Sequence, residues 1–216
     1  MKKMKKLLTA ALLLGALASC GETPTESAKP STQESAQPST PEVEAKELAA
    51  NLVGIAEGKT CYLTTVGQAD SDIVNNVFKK AGLVGRYQYE NKNLIKAADV
   101  EEGAVVFLTL GASSKGLGAA GVDEAQEAAR AAEFAAAAEA GQFTLVLFHV
   151  GGTPRRGTSS DPIIEAAFPG AAACFVVASG NKDGFFTGLA EENNVDFYSI
   201  AKALDLVDYA KGLFGI

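Results

Sequence analysis

The chain has 216 residues, a formal net charge of −7, one histidine, three cysteines and no tryptophan. So acidic a balance argues against nucleic-acid binding and against adhesion to anionic lipid by overall charge. A lone histidine and few cysteines, with no CxxC or HxxxH pairing, argue against a zinc or haem site, and no metal or cofactor is expected.

The N-terminus carries Lys2, Lys3, Lys5 and Lys6 and then the apolar run Leu7–Ala16. A basic start followed by an apolar run well short of the roughly 20 residues of a membrane span reads as a secretory leader. Its end, Leu17-Ala18-Ser19-Cys20, resembles the lipobox of bacterial lipoproteins. The resemblance implies removal of residues 1–19 and lipidation of Cys20. Loss of the four leader lysines leaves a charge of −11. The segment that follows Cys20, to residue 44, is dominated by Ser, Thr, Pro, Glu and Gln. It has too little apolar surface to offset ordering entropy, and reads as a disordered tether. The expected placement is therefore extracytoplasmic, on the periplasmic or cell-surface face, membrane-anchored through Cys20. Residues 45–216 are enough for one domain with one core.

Within that domain, Glu44–Ile55 reads as a short helix or lead-in. A strand, Thr60–Val66, runs into Gly67–Asp72. A helix follows at Ser71–Lys80, with Asp70 or Ser71 as N-cap and Gly82 as stop. A short strand is expected at Arg86–Tyr89 and a helical turn at Asn93–Val100. The third strand, Ala104–Leu110, opens into a glycine-rich loop, Gly111–Gly121. A long alanine-rich helix, Asp123–Ala140, opens on Asp123-x-x-Gln126, close to a capping box. Strand Thr144–Val150 leads to a Gly-Gly-Thr-Pro-Arg-Arg loop, and Asp161-Pro162 starts a helix through Phe168. Strand Ala173–Ala178, helix Gly184–Glu192, strand Val195–Ile200 and helix Ala201–Phe214 complete the chain, the last presenting Leu204, Val207, Ala210 and Leu213. Strands that are continuous apolar runs alternating with helices predict an α/β fold. The expected architecture is a three-layer αβα sandwich with a mostly parallel five- to six-stranded sheet, flavodoxin-like or Rossmann-like. The expected strand order is 2-1-3-4-5 with the sixth at the edge. Cys61 and Cys174 sit in apolar strands, and free buried thiols are the plainer expectation for them.

In a parallel sheet the loops after strands one, three, four and five meet at the carboxyl edge. They supply Gln68, Asp70 and Ser71; Ser113, Ser114 and Lys115; His149, Gly151, Arg155 and Arg156; and Asn181 and Lys182. The formal charges of these loops cancel, in an otherwise acidic protein. If the aspartates cap helices, the cations are left facing the crevice beside helix N-termini, which suits a carboxylate or phosphate. Each residue also has a plainer reading. The glycines can simply shape tight loops, the two arginines can be surface charge, and Asn181-Lys182-Asp183 can be a turn and cap. His149 can be a satisfied core histidine or a general base. No P-loop, GxGxxG or nucleophile-elbow pattern is present, and no catalytic residue is assigned.

The segments TVGQADSD, GASSKGLGAAGVD, HVGGTPRRG and GNKDGFFTGLAEENNV, in this order, resemble an uncharacterised family of bacterial extracytoplasmic domains known only as a domain of unknown function. The resemblance spans roughly Thr60–Ile200 and implies an αβα domain without implying an activity. The resulting expectation is a lipid-anchored domain that binds a small anionic or polar ligand at the carboxyl edge. The alternatives are a hydrolase or transferase using His149, and an envelope protein–protein interaction module meeting a partner or a second copy through its loops or its alanine-rich helix.

Overall fold

The computed structural model describes residues 45–89 and 94–216. The expected leader, Cys20 and the tether lie outside the described residues. Six strands form one all-parallel sheet: β1 (Cys61–Val66), β2 (Gln88–Tyr89), β3 (Val105–Leu110), β4 (Thr144–His149), β5 (Ala171–Val177) and β6 (Asp196–Ile200). The order is β2-β1-β3-β4-β5-β6, the order expected from the sequence. Each pairing is parallel. The fold is thus an α/β three-layer sandwich. β1 and β3 are buried at every position, as strands covered on both faces must be.

Among the described residues six α-helices cover the sheet: α1 (Ser71–Lys80), α2 (Ser114–Ala120), α3 (Glu124–Glu139), α4 (Asp161–Ala167), α5 (Phe185–Asn193) and α6 (Leu206–Leu213). Alternation of side chains along each strand splits the core in two. Val106, Leu108, Leu145 and Leu147 pack under Phe134 of α3, Ile163 and Ile164 of α4 and Phe186 of α5. On the opposite face Val105, Phe107, Val146, Phe148 and Phe175 pack under Val74 and Phe78 of α1 and Leu206, Ala210 and Leu213 of α6. Phe78 meets the rings of Tyr87, Phe107, Phe148 and Phe214 edge-on at centroid distances of 5.2, 5.1, 6.0 and 5.8 Å, a favoured aromatic geometry. Cys61 and Cys174 are free and buried. They belong to opposite core layers, so the sheet itself keeps them apart. Burial raises the Cys61 thiol to about 11 and pushes Cys174 further in the same direction.

Three local expectations need correction. The lead-in is not helical over residues 45–55; consecutive turns run from residue 50 to 58. They are docked on α6 by Gly54 N–H to Gly212 O at 2.8 Å and Ala56 N–H to Leu213 O at 2.9 Å. The loop after β3 folds into α2, because Ser113 Oγ accepts the Gly116 N–H and caps it. In the last helix Leu204 is 44 % exposed: the chain runs through a 3-10 turn, Ala203–Asp205, before α6 begins, and Leu206 takes the buried place. The capping box at Asp123 forms as expected, with Gln126 N–H donating to Asp123 Oδ1 at 2.8 Å and Asp123 N–H to Gln126 Oε1 at 2.9 Å.

Candidate functional site

In this strand order the chain leaves β1 toward β2 on one side, while β3 begins the run to the other. A ligand crevice is expected where the loops after β1 and β3 diverge. Here the chain fills that place with its own backbone. Ser113 N–H donates to Gly67 O at 2.9 Å. A Cβ on Gly67 would lie 2.2 Å from Gly111 O, and one on Gly116 2.2 Å from Gln68 O. The β1 loop is pulled down by two threonines: Thr65 Oγ1 lies 2.8 Å from Ala69 O and Thr109 Oγ1 3.3 Å from it. Gln68 and Asp70 both adopt left-handed backbone, φ 58° and 63°, a strained state that persists only where its surroundings over-determine it.

The anchor of this loop is a buried ion pair that the sequence reading missed. Glu127 and Arg130, on α3, are 1 % and 8 % exposed. Glu127 Oε2 accepts from Gly67 N at 2.7 Å, Gln68 Nε2 at 3.0 Å and Arg130 Nη2 at 2.8 Å. Arg130 Nε reaches Glu127 Oε1 at 2.9 Å, and its Nη1 and Nη2 donate to the carbonyls of Ile95 and Thr65. The helix that read as almost featureless alanine thus inserts a long side chain beneath the site. The available signal was the i, i+3 spacing of Glu127 and Arg130, one turn inside the capping box.

The expectation that aspartates cap helices and leave cations free holds for Asp183, which accepts the Phe185 N–H at 3.3 Å, and is corrected for Asp70 and for both arginines. Asp70 occupies the N-cap position of α1 but makes no side-chain cap there. Its carboxylate meets Arg155 Nε, 3.2 Å from each oxygen. Gly151 makes room for this pair, since a Cβ there would sit 2.1 Å from both Arg155 Cγ and Asp70 Oδ2. Arg156 is saturated. Nε donates to Asp161 Oδ1 at 2.8 Å, Nη1 to Gly180 O and to Asp183 Oδ1, and Nη2 to Asp161 Oδ2 and Asp183 Oδ2 at 3.3 and 3.0 Å. Its guanidinium also lies 3.9 Å from the Phe185 ring centroid. Burial disfavours the charge of Arg156, but the two carboxylates more than offset this and hold it above its ordinary value. Its hydrogen bond lowers Asp183 in turn. A guanidinium has five N–H donors, and all five of Arg156 are spent.

The structure therefore divides the expected site. Gln68, Asp70, Ser113, Gly151 and Arg155 come together at the ends of β1, β3 and β4. Ser114 and Lys115 stand exposed on the first turn of α2, whose Gly116 abuts Gln68. Ser71 is buried, its Oγ 3.4 Å from Tyr89 Oη. Arg156 and Asn181 belong to a separate cluster around α5. Asn181 Oδ1 caps that helix by accepting from Phe186 N at 2.8 Å. Lys182 is exposed in the turn before it.

His149 is fully buried. Nδ1 lies 3.1 Å from Leu110 O and Nε2 3.2 Å from Gly152 O. The Phe186 ring covers it at 4.6 Å, and Gly180 leaves no room for a side chain above the imidazole. In this arrangement it is a core histidine joining β3 to the arginine loop, and no substrate reaches it as a general base. Burial lowers its pKa from 6.5 and Arg156 adds to this, against the two carbonyls and Asp70, which raise it. Between the unfolded value near 6.5 and the lower folded value, the unfolded chain binds more protons. Stability contributed above pH 6.5 is therefore lost as pH falls through that window. With only one histidine in the chain, the urea midpoint should fall between pH 7.5 and 5.5 in the wild type and stay flatter in His149→Gln. An unchanged slope in the variant would assign the effect elsewhere.

Among the described residues no group of three His, Cys, Asp or Glu side chains is placed to hold a metal ion. No helix among them is long and apolar enough to cross a membrane. A family model described as Domain of unknown function (DUF6305) matches residues 59–214. No curated protein and no solved structure matches the chain.

Proposed function

The chain belongs to the family described as Domain of unknown function (DUF6305), and from that premise we propose that it is a lipid-anchored extracytoplasmic recognition domain that takes a small anionic or polar ligand on the rim of the carboxyl edge. The observation that carries this reading is Arg155. Asp70 fixes it through Nε alone. Its Nη1 has one long contact, 3.5 Å to Ala112 O, and among the described residues Nη2 has no hydrogen-bond partner. With a third of the side chain exposed, the guanidinium keeps the donors suited to two-point recognition of a carboxylate or phosphate. Ser114 and Lys115 supply a hydroxyl and a further cation on the first turn of the neighbouring α2. Because the crevice between β1 and β3 is filled, the ligand sits on this rim and not inside the sheet edge.

The reading separates the two adjacent arginines. Arg155→Ala should itself lose stability, because it strands the Asp70 carboxylate, whose side chain is 7 % exposed, and it should lose the ligand even where the folded fraction is matched. Arg156→Ala should be clearly destabilised, because it strands Asp161 and uncaps the Gly180 carbonyl. Native mass spectrometry of the gently purified chain, with unfolding midpoints for both variants, reads both effects. A small adduct retained by Arg155→Ala would remove the assignment. The anchor has its own test in the mass of the mature N-terminal peptide, which carries acyl chains on Cys20 if the reading holds and an unmodified thiol if it does not.

A further inference from the structure

The net charge of the protein conceals a local segregation. At the opposite, amino edge of the sheet, α1 ends in Lys79 and Lys80. The loop that follows presents Val84, 71 % exposed, and then Arg86 before β2. The turn-rich segment leading into β1 presents Val53, 57 % exposed, and Lys59. Lys59 and Arg86 line one cleft of about 240 Å³ with Tyr87 and Gln88. Among the described residues none of Lys59, Lys79, Lys80 and Arg86 forms an ion pair, whereas Arg130, Arg155 and Arg156 all do. The turns before β1 and β3 also carry exposed carboxylates, Glu57, Glu101 and Glu102, Glu101 accepting the Thr60 hydroxyl at 2.8 Å.

The described chain also begins at this edge. Lys46 reaches Phe197 O at 3.3 Å and Asp196 Oδ1 at 3.9 Å, at the first residues of β6, and Tyr209 Oη donates to Lys46 O at 2.6 Å. The segment that precedes Ala45, with Cys20 in it, therefore joins the domain at the β6 end of the amino edge, and Lys59 and Arg86 lie along the same edge at its β1–β2 end. We infer that this amino-edge corner docks on an anionic phospholipid surface. Lysines and an arginine facing phosphate headgroups, with apolar side chains among them, are the composition such a surface selects. Combined with the lipid-anchor reading, on which this orientation rests, docking turns the Arg155 rim away from the membrane, toward its ligand.

The probe is the chain from Gly21 to Ile216, which keeps every described residue and carries no lipid. It is floated with vesicles of phosphatidylglycerol and phosphatidylethanolamine, and separately with phosphatidylcholine vesicles, at low and high salt. Binding is expected only to the anionic vesicles and only at low salt. Each cation at such a surface changes partitioning by about five-fold, so Lys79→Gln/Lys80→Gln/Arg86→Gln should weaken binding by well over ten-fold, and Arg155→Ala should not change it. The neutral glutamines leave the end of α1 intact, which circular dichroism verifies. Absence of binding to anionic vesicles at low salt, or equal binding by the triple variant, overturns the inference. Capture by poly-glutamate but not by the vesicles would also overturn it and give the corner to an acidic protein partner. Since the probe has no acyl chain, its outcome is independent of the Cys20 peptide mass, and either reading can fail alone.

Discussion

Glu127→Ala is expected to destabilise the domain by about 3–5 kcal/mol, the cost of breaking a buried ion pair from one side. The size follows from what is stranded. Arg130, 8 % exposed, keeps its charge and loses the carboxylate that meets two of its nitrogens. Gly67 loses the acceptor of its N–H, and Gln68 loses the partner of its amide. A typical domain has about 5–15 kcal/mol in all, so one side chain on an alanine-rich helix holds a large fraction of it. Glu127→Gln should fall between, because one oxygen can still accept from Gly67 while the amide nitrogen confronts the guanidinium. The double change Glu127→Leu/Arg130→Met should cost much less than Glu127→Ala, since it removes both charges together. Urea unfolding of the three variants decides. A loss below about 1 kcal/mol in Glu127→Ala would mean that the carboxylate is dispensable and that the β1 loop is held by Thr65 and Thr109 alone.

The same pair shows where sequence reasoning stops. Strands such as Val105–Leu110 announce themselves because burial on both faces demands an unbroken apolar run, and alternation with helices then fixes a parallel sheet. Loops after successive strands must share one edge, so the residues gathered at the ends of β1, β3 and β4 could be named in advance. Which charge meets which could not. Asp70 reads as a helix cap, and its position as the residue before α1 is right for one. The left-handed backbone at φ 63° turns its carboxylate to Arg155 instead, 85 residues away. Arg155 and Arg156 are adjacent and chemically identical in the sequence. One packs between Asp161, Asp183 and Phe185 with every donor used, and the other keeps donors to spare. Nothing local distinguishes them, because their partners come from three different loops. Glu127 and Arg130 were hidden by the opposite error, a helix face taken as bland because alanine surrounds it. The amino-edge corner was hidden by averaging, since a charge of −7 for the whole chain says nothing about where its cations lie.

Gly67→Ala should be as damaging as the loss of Glu127, for a steric reason. The residue sits at φ +87°, and its Cβ would stand 2.2 Å from Gly111 O, 2.6 Å from Gly111 C and 2.9 Å from Ala112 Cα. All three are backbone atoms of the neighbouring strand end, so no side chain can turn aside to relieve the overlap. The left-handed conformation alone costs an alanine roughly 1–2 kcal/mol. Separating the loops adds the overpacking cost of about 1–3 kcal/mol and threatens the Ser113 N–H to Gly67 O bond that closes the switch-point crevice. The control is Gly85→Ala, at φ +81° with nothing within 4 Å of the added carbon, which carries the conformational cost without the collision. Gly67→Ala should therefore exceed Gly85→Ala by at least about 1–3 kcal/mol in unfolding free energy. It should also loosen the Arg155 rim, because Asp70 lies three residues along the same loop, so ligand binding should fall even where the folded fraction is matched by lowering the temperature. Equal losses in the two variants would mean that the loops after β1 and β3 do not press on one another, and the crevice between them would again be open to a ligand.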